Sequence, residues 1–165
     1  MNAYVKIIFF SIIILFFIIS VSTNSWTTKY NKQNILNIET ITRENVGLWS
    51  ECIKSSSTAG NNNGNINVDS CSNVKSNNSL IFIKIYVLFT FIFILLSAIS
   101  WVLYNNKLYT IVFLILTMIF SFLPCMLWNS NQVLNDGTLG YSWYLQLFGS
   151  FLTLILAIII QFNLV

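Results

Sequence analysis

The feature that most constrains this chain is a set of four long apolar stretches, 3–22, 80–104, 108–128 and 141–162. A helix needs roughly 20 apolar residues to cross a bilayer core of about 30 Å, and each stretch supplies that length. In water these segments would need a polar cover. The chain has too little: 56% of its 165 residues are hydrophobic and 8% are charged, where a soluble domain carries about 25% charged residues. The expectation is a membrane protein with four helical spans. Both termini then lie on one side, and the loops 23–79 and 129–140 lie on the other.

Composition also removes much chemistry. With no histidine in the chain, imidazole-based triads, His-ligated zinc and His-based pH switches are excluded. The carboxylates Glu39, Glu44, Glu51, Asp69 and Asp136 are too scattered to suggest an acid–base pair or a metal cage, so neither a metal nor another cofactor is expected. A net charge of +3 without a basic run speaks against nucleic-acid binding. A thiol oxidoreductase would show a C-x-x-C pair, whereas Cys52, Cys71 and Cys125 stand far apart. No enzyme and no small-molecule substrate are expected.

Sidedness follows from aromatic and cysteine placement. Trp26, Trp128, Tyr141, Trp143 and Tyr144 mark one set of span ends, and Tyr4, Trp101, Tyr104 and Tyr109 mark the other, as expected for interfacial belts. The basic residues do not decide, because Lys29, Lys32, Arg43, Lys54 and Lys75 fall in the long loop and only Lys6 and Lys107 on the opposite side. The cysteines do. Cys52 and Cys71 sit in polar loop sequence, and outside the cytosol a bridge is favoured over two free thiols. Such a bridge restrains the unfolded loop by roughly 3 kcal/mol in the chain-entropy picture. The loop is therefore expected outside, the termini in the cytosol and the protein in the plasma membrane. Cys125, in apolar sequence, is expected to be a buried small residue. The first span has a rival reading as a signal peptide, with Lys6 before it and Ser20, Ser22 and Thr23 at its end. Its apolar run exceeds the usual 7–15 residues or so, so retention as a helix is expected.

Helices in lipid associate through small residues and a few hydrogen bonds. Ser142, Gln146, Gly149, Ser150, Thr153 and Ala157 recur at helical spacing in the fourth span, and Thr110, Thr117, Ser121 and Cys125 in the third. These stripes are expected to be packing seams. A transport pathway would more often bring ionisable groups into the spans, and Lys6 and Lys84 both lie near span ends, where lysine can snorkel. Pro124 is expected to bend the third span.

In the long loop, 26–30 and 35–42 are β-prone and suggest short antiparallel strands. Trp49, beside Gly47 and Leu48, is expected to anchor the loop on the helix ends. Between the cysteines lies a tract rich in Ser, Asn and Gly, 55–67, whose composition suggests a floppy insert. The sequon Asn77-Asn78-Ser79 abuts the second span, an unfavourable place for a glycan.

Together these residues carry a resemblance. Trp26, then Gly47-Leu48-Trp49, Cys52, Cys71 and basic Lys84 at the start of the second span resemble the W, GLW, C, C and basic-residue signature of the claudin superfamily. That group includes claudins, peripheral-myelin and epithelial-membrane proteins, calcium-channel gamma subunits and Sur7-type proteins. The stretches 123–128 and 139–144 resemble the family's third-span end and fourth-span start. The resemblance implies an all-α membrane protein, a bundle of four transmembrane helices carrying a small extracellular antiparallel β-sheet mostly from the first loop. It implies that Trp49 anchors this sheet and that a Cys52–Cys71 bridge joins neighbouring strands. The Asn-rich insert makes the span between the cysteines longer than is usual in claudins. Two functions are expected to compete. One is cell-surface organisation, adhesion or lateral assembly, with the bilayer and copies of itself or other membrane proteins as partners; the other is an accessory subunit of a channel or receptor.

Overall fold

The computed structural model describes residues 3–35, 38–59, 65–74, 78–131 and 137–162. Four helices, α1 (Ala3–Ser22), α2 (Asn78–Val102), α3 (Lys107–Asn131) and α4 (Tyr141–Gln161), are each long and apolar enough to cross a membrane. They pack in a ring in which α1 meets α2 and α4, and α3 meets α2 and α4. The helix bounds of α2 and α3 differ from the sequence expectation by two or three residues, because Asn78 and Ser79 begin α2 and α3 continues through Pro124 to Asn131.

The bundle is apolar outside, and its interior sets hydroxyl and amide side chains beside an apolar cluster that includes Phe10, Phe17, Ile94 and Leu114. Ile8, Leu15, Leu88, Leu95, Ile115, Phe151 and Ile155 are exposed, whereas Thr90, Ser97, Thr117, Ser121, Gln146, Ser150 and Thr153 are buried. That is the reverse of a soluble bundle and fits hydrocarbon as the surrounding solvent. The seam residues of α4 lie at the contacts: the Phe17 ring of α1 covers Gly149, and the Ser121 hydroxyl of α3 bonds that of Ser150 at 2.7 Å. Ser142, Gln146, Thr153 and Ala157 are buried on the same face. At the far end, the α2–α3 turn is set by asparagines. Asn105 takes a positive φ of 48°, which asparagine tolerates better than most residues. Asn106 Oδ1 accepts from the Tyr109 N–H at 3.3 Å, as an N-cap does. Lys6 Nζ reaches this turn, donating to Asn105 Oδ1 (2.8 Å) and the Trp101 carbonyl (3.2 Å).

At the opposite end stands a five-stranded antiparallel sheet. Its strands are β1 (Thr27–Ile35), β2 (Ile38–Val46), β3 (Ser50–Ala59), β4 (Asn65–Asn73) and β5 (Thr138–Leu139), in the order β4-β3-β2-β1-β5. The 35–42 stretch is two strands, since β1 ends at Ile35 and β2 starts at Ile38. The 55–67 tract is also corrected, because β3 runs to Ala59 and pairs with β4 from Asn65 onward. Its serines and asparagines need no core here, since cross-strand main-chain bonds order them. Residues 60–64, the Asn-Gly centre of the tract, and Asn77 of the sequon lie outside the described residues.

Candidate functional site at the sheet–helix junction

The segment from Thr23 to Trp26, which links α1 to β1, is held from two sides. Trp26 N–H donates to the Val46 carbonyl (2.9 Å), Gly140 N–H to the Trp26 carbonyl (2.9 Å) and Ser142 N–H to the Ser25 carbonyl (3.2 Å). The Trp26 indole is 0% exposed and donates through Nε1 to the Ser20 carbonyl at 2.9 Å. Its ring lies 5.1 Å from that of Trp128, whose Nε1 donates to Thr27 Oγ1 at 2.8 Å. Both indoles thus bury their area without leaving a donor unmet. They form one core with Val46, Leu48, Leu80, Ile83 and Val87.

This packing corrects the aromatic-belt expectation. Trp26, Trp128 and Trp101 point inward, and it is Tyr4, Tyr104, Tyr109, Tyr141 and Tyr144 that are exposed. It also corrects the role of Trp49. Leu48 is fully buried, whereas Trp49 is 49% exposed and lies under Lys84, whose Nζ is 4.7 Å from the ring centroid. The Gly47-Leu48-Trp49 turn presents its leucine to the bundle, and Trp26 and Leu48 are the anchors. Gly47 permits the approach: a Cβ there would sit 2.6 Å from Asn24 Cα.

Asn24 is a junction residue that the sequence reading missed. Its Oδ1 accepts from Ser50 Oγ (2.6 Å) and its Nδ2 lies 3.4 Å from Cys52 Sγ. One asparagine among many carries no periodic signal, so only the fold reveals it.

Cys52 and Cys71 are disulfide-bonded and directly opposite across β3 and β4, with Cα atoms 4.2 Å apart. The bridge spans 19 residues in sequence, and replacing both cysteines with serine is expected to cost about 3 kcal/mol by the chain-entropy relation. Denaturant unfolding of the detergent-solubilised protein checks this. An unchanged midpoint would show that the bridge does not brace the sheet.

Beyond the junction, β1 to β4 each carry nine or ten residues, which gives a sheet about 30 Å tall. Asn31, Lys32, Gln33 and Asn34 are exposed on both faces, as are residues 68–73, so the upper sheet stands clear of the helices. One face carries most of the charge. Tyr30, Arg43, Lys54 and Asp69 form a single row across four strands. Arg43 lies over the Tyr30 ring (5.2 Å to its centroid), Lys54 pairs with Asp69 (3.4 Å), and above them Lys32 pairs diagonally with Glu39 (2.6 Å). Exposed pairs of this kind add little stability but present a defined pattern of charge and aromatic surface. Among the described residues, no three His, Cys, Asp or Glu side chains come together as metal ligands.

Compared with known proteins, the chain matches no family model and no curated protein.

Proposed function

We propose that this chain is a claudin-like, non-enzymatic multi-pass membrane protein of the plasma membrane. Its termini are cytosolic, and it organises cell surfaces through adhesion or lateral assembly of its outer sheet. The observation that carries the reading is the sheet itself: polar, disulfide-braced, solvated on both faces and rooted on the helix ends by Trp26, Leu48 and Trp128. The bridge supports an extracytosolic position for this end. Bundle and junction bury their own polar groups, so the exposed polar surface that a partner can read is concentrated on the sheet.

Crosslinking in native membranes with a lysine-reactive reagent tests the reading. The expected result is self-linked species of this chain, the dimer first among them, reduced when Lys32 and Lys54 on the charged face are both replaced by glutamine. A single dominant adduct with one larger protein would overturn it in favour of an accessory subunit.

A further inference from the structure

The two edges of the sheet differ. The β1 edge is covered by β5 at Thr27 and Thr28, and beyond that point it carries Lys29 and Lys32; edge lysines deter pairing with another strand. The β4 edge has no such protection. Among the described residues no strand lies on its outer side. It holds no proline and no lysine, its register with β3 runs without a bulge from Ser50–Asn73 to Thr58–Asn65, and its one charge, Asp69, is matched by Lys54. A long, regular edge whose single charge is paired is a template for strand addition.

The register also says which groups are offered. A Cα separation of 4.2 Å at Cys52–Cys71 is that of a pair whose main-chain groups do not bond each other, since bonded pairs stand about 5.5 Å apart. The bond from the Val74 N–H to the Trp49 carbonyl, three positions further along the same register, fixes the same alternation. The N–H and C=O groups of Asn65, Asn67, Asp69, Cys71 and Asn73 therefore face outward. This set is self-complementary. Paired antiparallel with its own copy about Asp69, residue 65 meets 73, 67 meets 71 and 69 meets 69, and every outward group is used, giving up to about ten main-chain bonds. The contact is isologous and closes as a dimer. At its centre each Asp69 brings its own Lys54, so the two carboxylates do not meet uncompensated.

We infer that β4 is a docking edge for a second copy of this chain, joined antiparallel and held in a facing membrane. Facing membranes follow from direction. The strands lead away from the helix ends, so an antiparallel partner has its root beside this molecule's tip and its helices at the opposite end of the paired strands. The inference rests on the assembly role proposed above and names the surface and the partner.

The test uses two cell populations that express the full-length chain with Asp69→Cys under two different epitope tags. The populations are mixed and treated with a short bis-maleimide. The expected product is a crosslinked dimer carrying both tags, formed only after mixing. Adding Asn67→Pro, which removes an outward N–H and no bond to β3, is expected to lower this product at least tenfold. The Cys52–Cys71 bridge on non-reducing gels and the surface level should not change. Dimers that form only between chains in the same cell would overturn the facing-membrane geometry. Dimers unaffected by Asn67→Pro would overturn the edge while leaving sheet-mediated assembly intact. Cells that neither adhere nor yield any self-linked species overturn both.

Discussion

Trp26→Ala is expected to cost about 3–5 kcal/mol, the range for emptying a fully buried tryptophan site, whereas Trp49→Ala costs about 1 kcal/mol or less, the worth of an exposed cation–π contact. The contrast comes from surroundings, since both residues are loop tryptophans within the same signature. Removing Trp26 empties the centre of the core formed with Val46, Leu48 and Trp128 and takes the Nε1 donor from the Ser20 carbonyl. Removing Trp49, which is half exposed, takes away one ring contact of Lys84 and empties no core. Thermal unfolding of the solubilised protein, followed through loop proteolysis, measures both. Equal losses would show that the anchoring is shared between the two indoles.

A methyl group at position 140 produces the second large effect. The Cβ of Gly140→Ala would lie 1.9 Å from the Ser25 carbonyl oxygen and 2.6 Å from its carbon, and both belong to main chain that cannot yield cheaply. The Gly140 N–H is bonded to Trp26 and the Ser142 N–H to Ser25, so moving the strand away breaks the links that join α4 to the α1–β1 segment. The expected loss is ~3 kcal/mol, the upper part of the usual overpacking range, with retention of the protein inside the cell. Surface expression and unfolding temperature equal to wild type would show that the 138–142 segment adapts freely.

The sequence revealed most about the parts of this molecule whose physics is one-dimensional. A span is a length of apolar chain, so the four helices were visible to within a few residues. The cysteine pair was visible because two cysteines in polar loop sequence suffice to suggest a bridge. What stayed hidden depends on direction. Leu48 and Trp49 are neighbours, both apolar, and composition cannot say which faces the bundle; the bend at Gly47 decides it for leucine. Trp128 and Trp101 sit at span ends, as belt residues do, yet turn inward because Trp26 and Phe10 meet them there. Of the Ser- and Asn-rich strands beside the bridge, β3 carries no alternation of polar and apolar residues, and β4 alternates only from Asn65 to Asp69, too short a stretch to stand out from the tract's composition. β5, with two residues, is shorter than any periodic signal.

The hydroxyls inside the bundle bear on how it is made. Thr90, Thr117 and Thr153 donate to carbonyls of their own helices, as does Ser97, so these four hydroxyls can enter hydrocarbon without owing a hydrogen bond to a neighbouring helix. Gln146 cannot do the same. Its Nε2 finds the Ser121 carbonyl of α3 at 3.5 Å, and its Oε1 meets no donor among the described residues. During synthesis α4 follows α3, and the amide in its second turn is a buried group that lipid alone leaves unsatisfied. The translocating machinery would therefore be expected to hold α4 until α3 is beside it, making this helix the slow step in biogenesis and the one most prone to be left behind when α3 is altered.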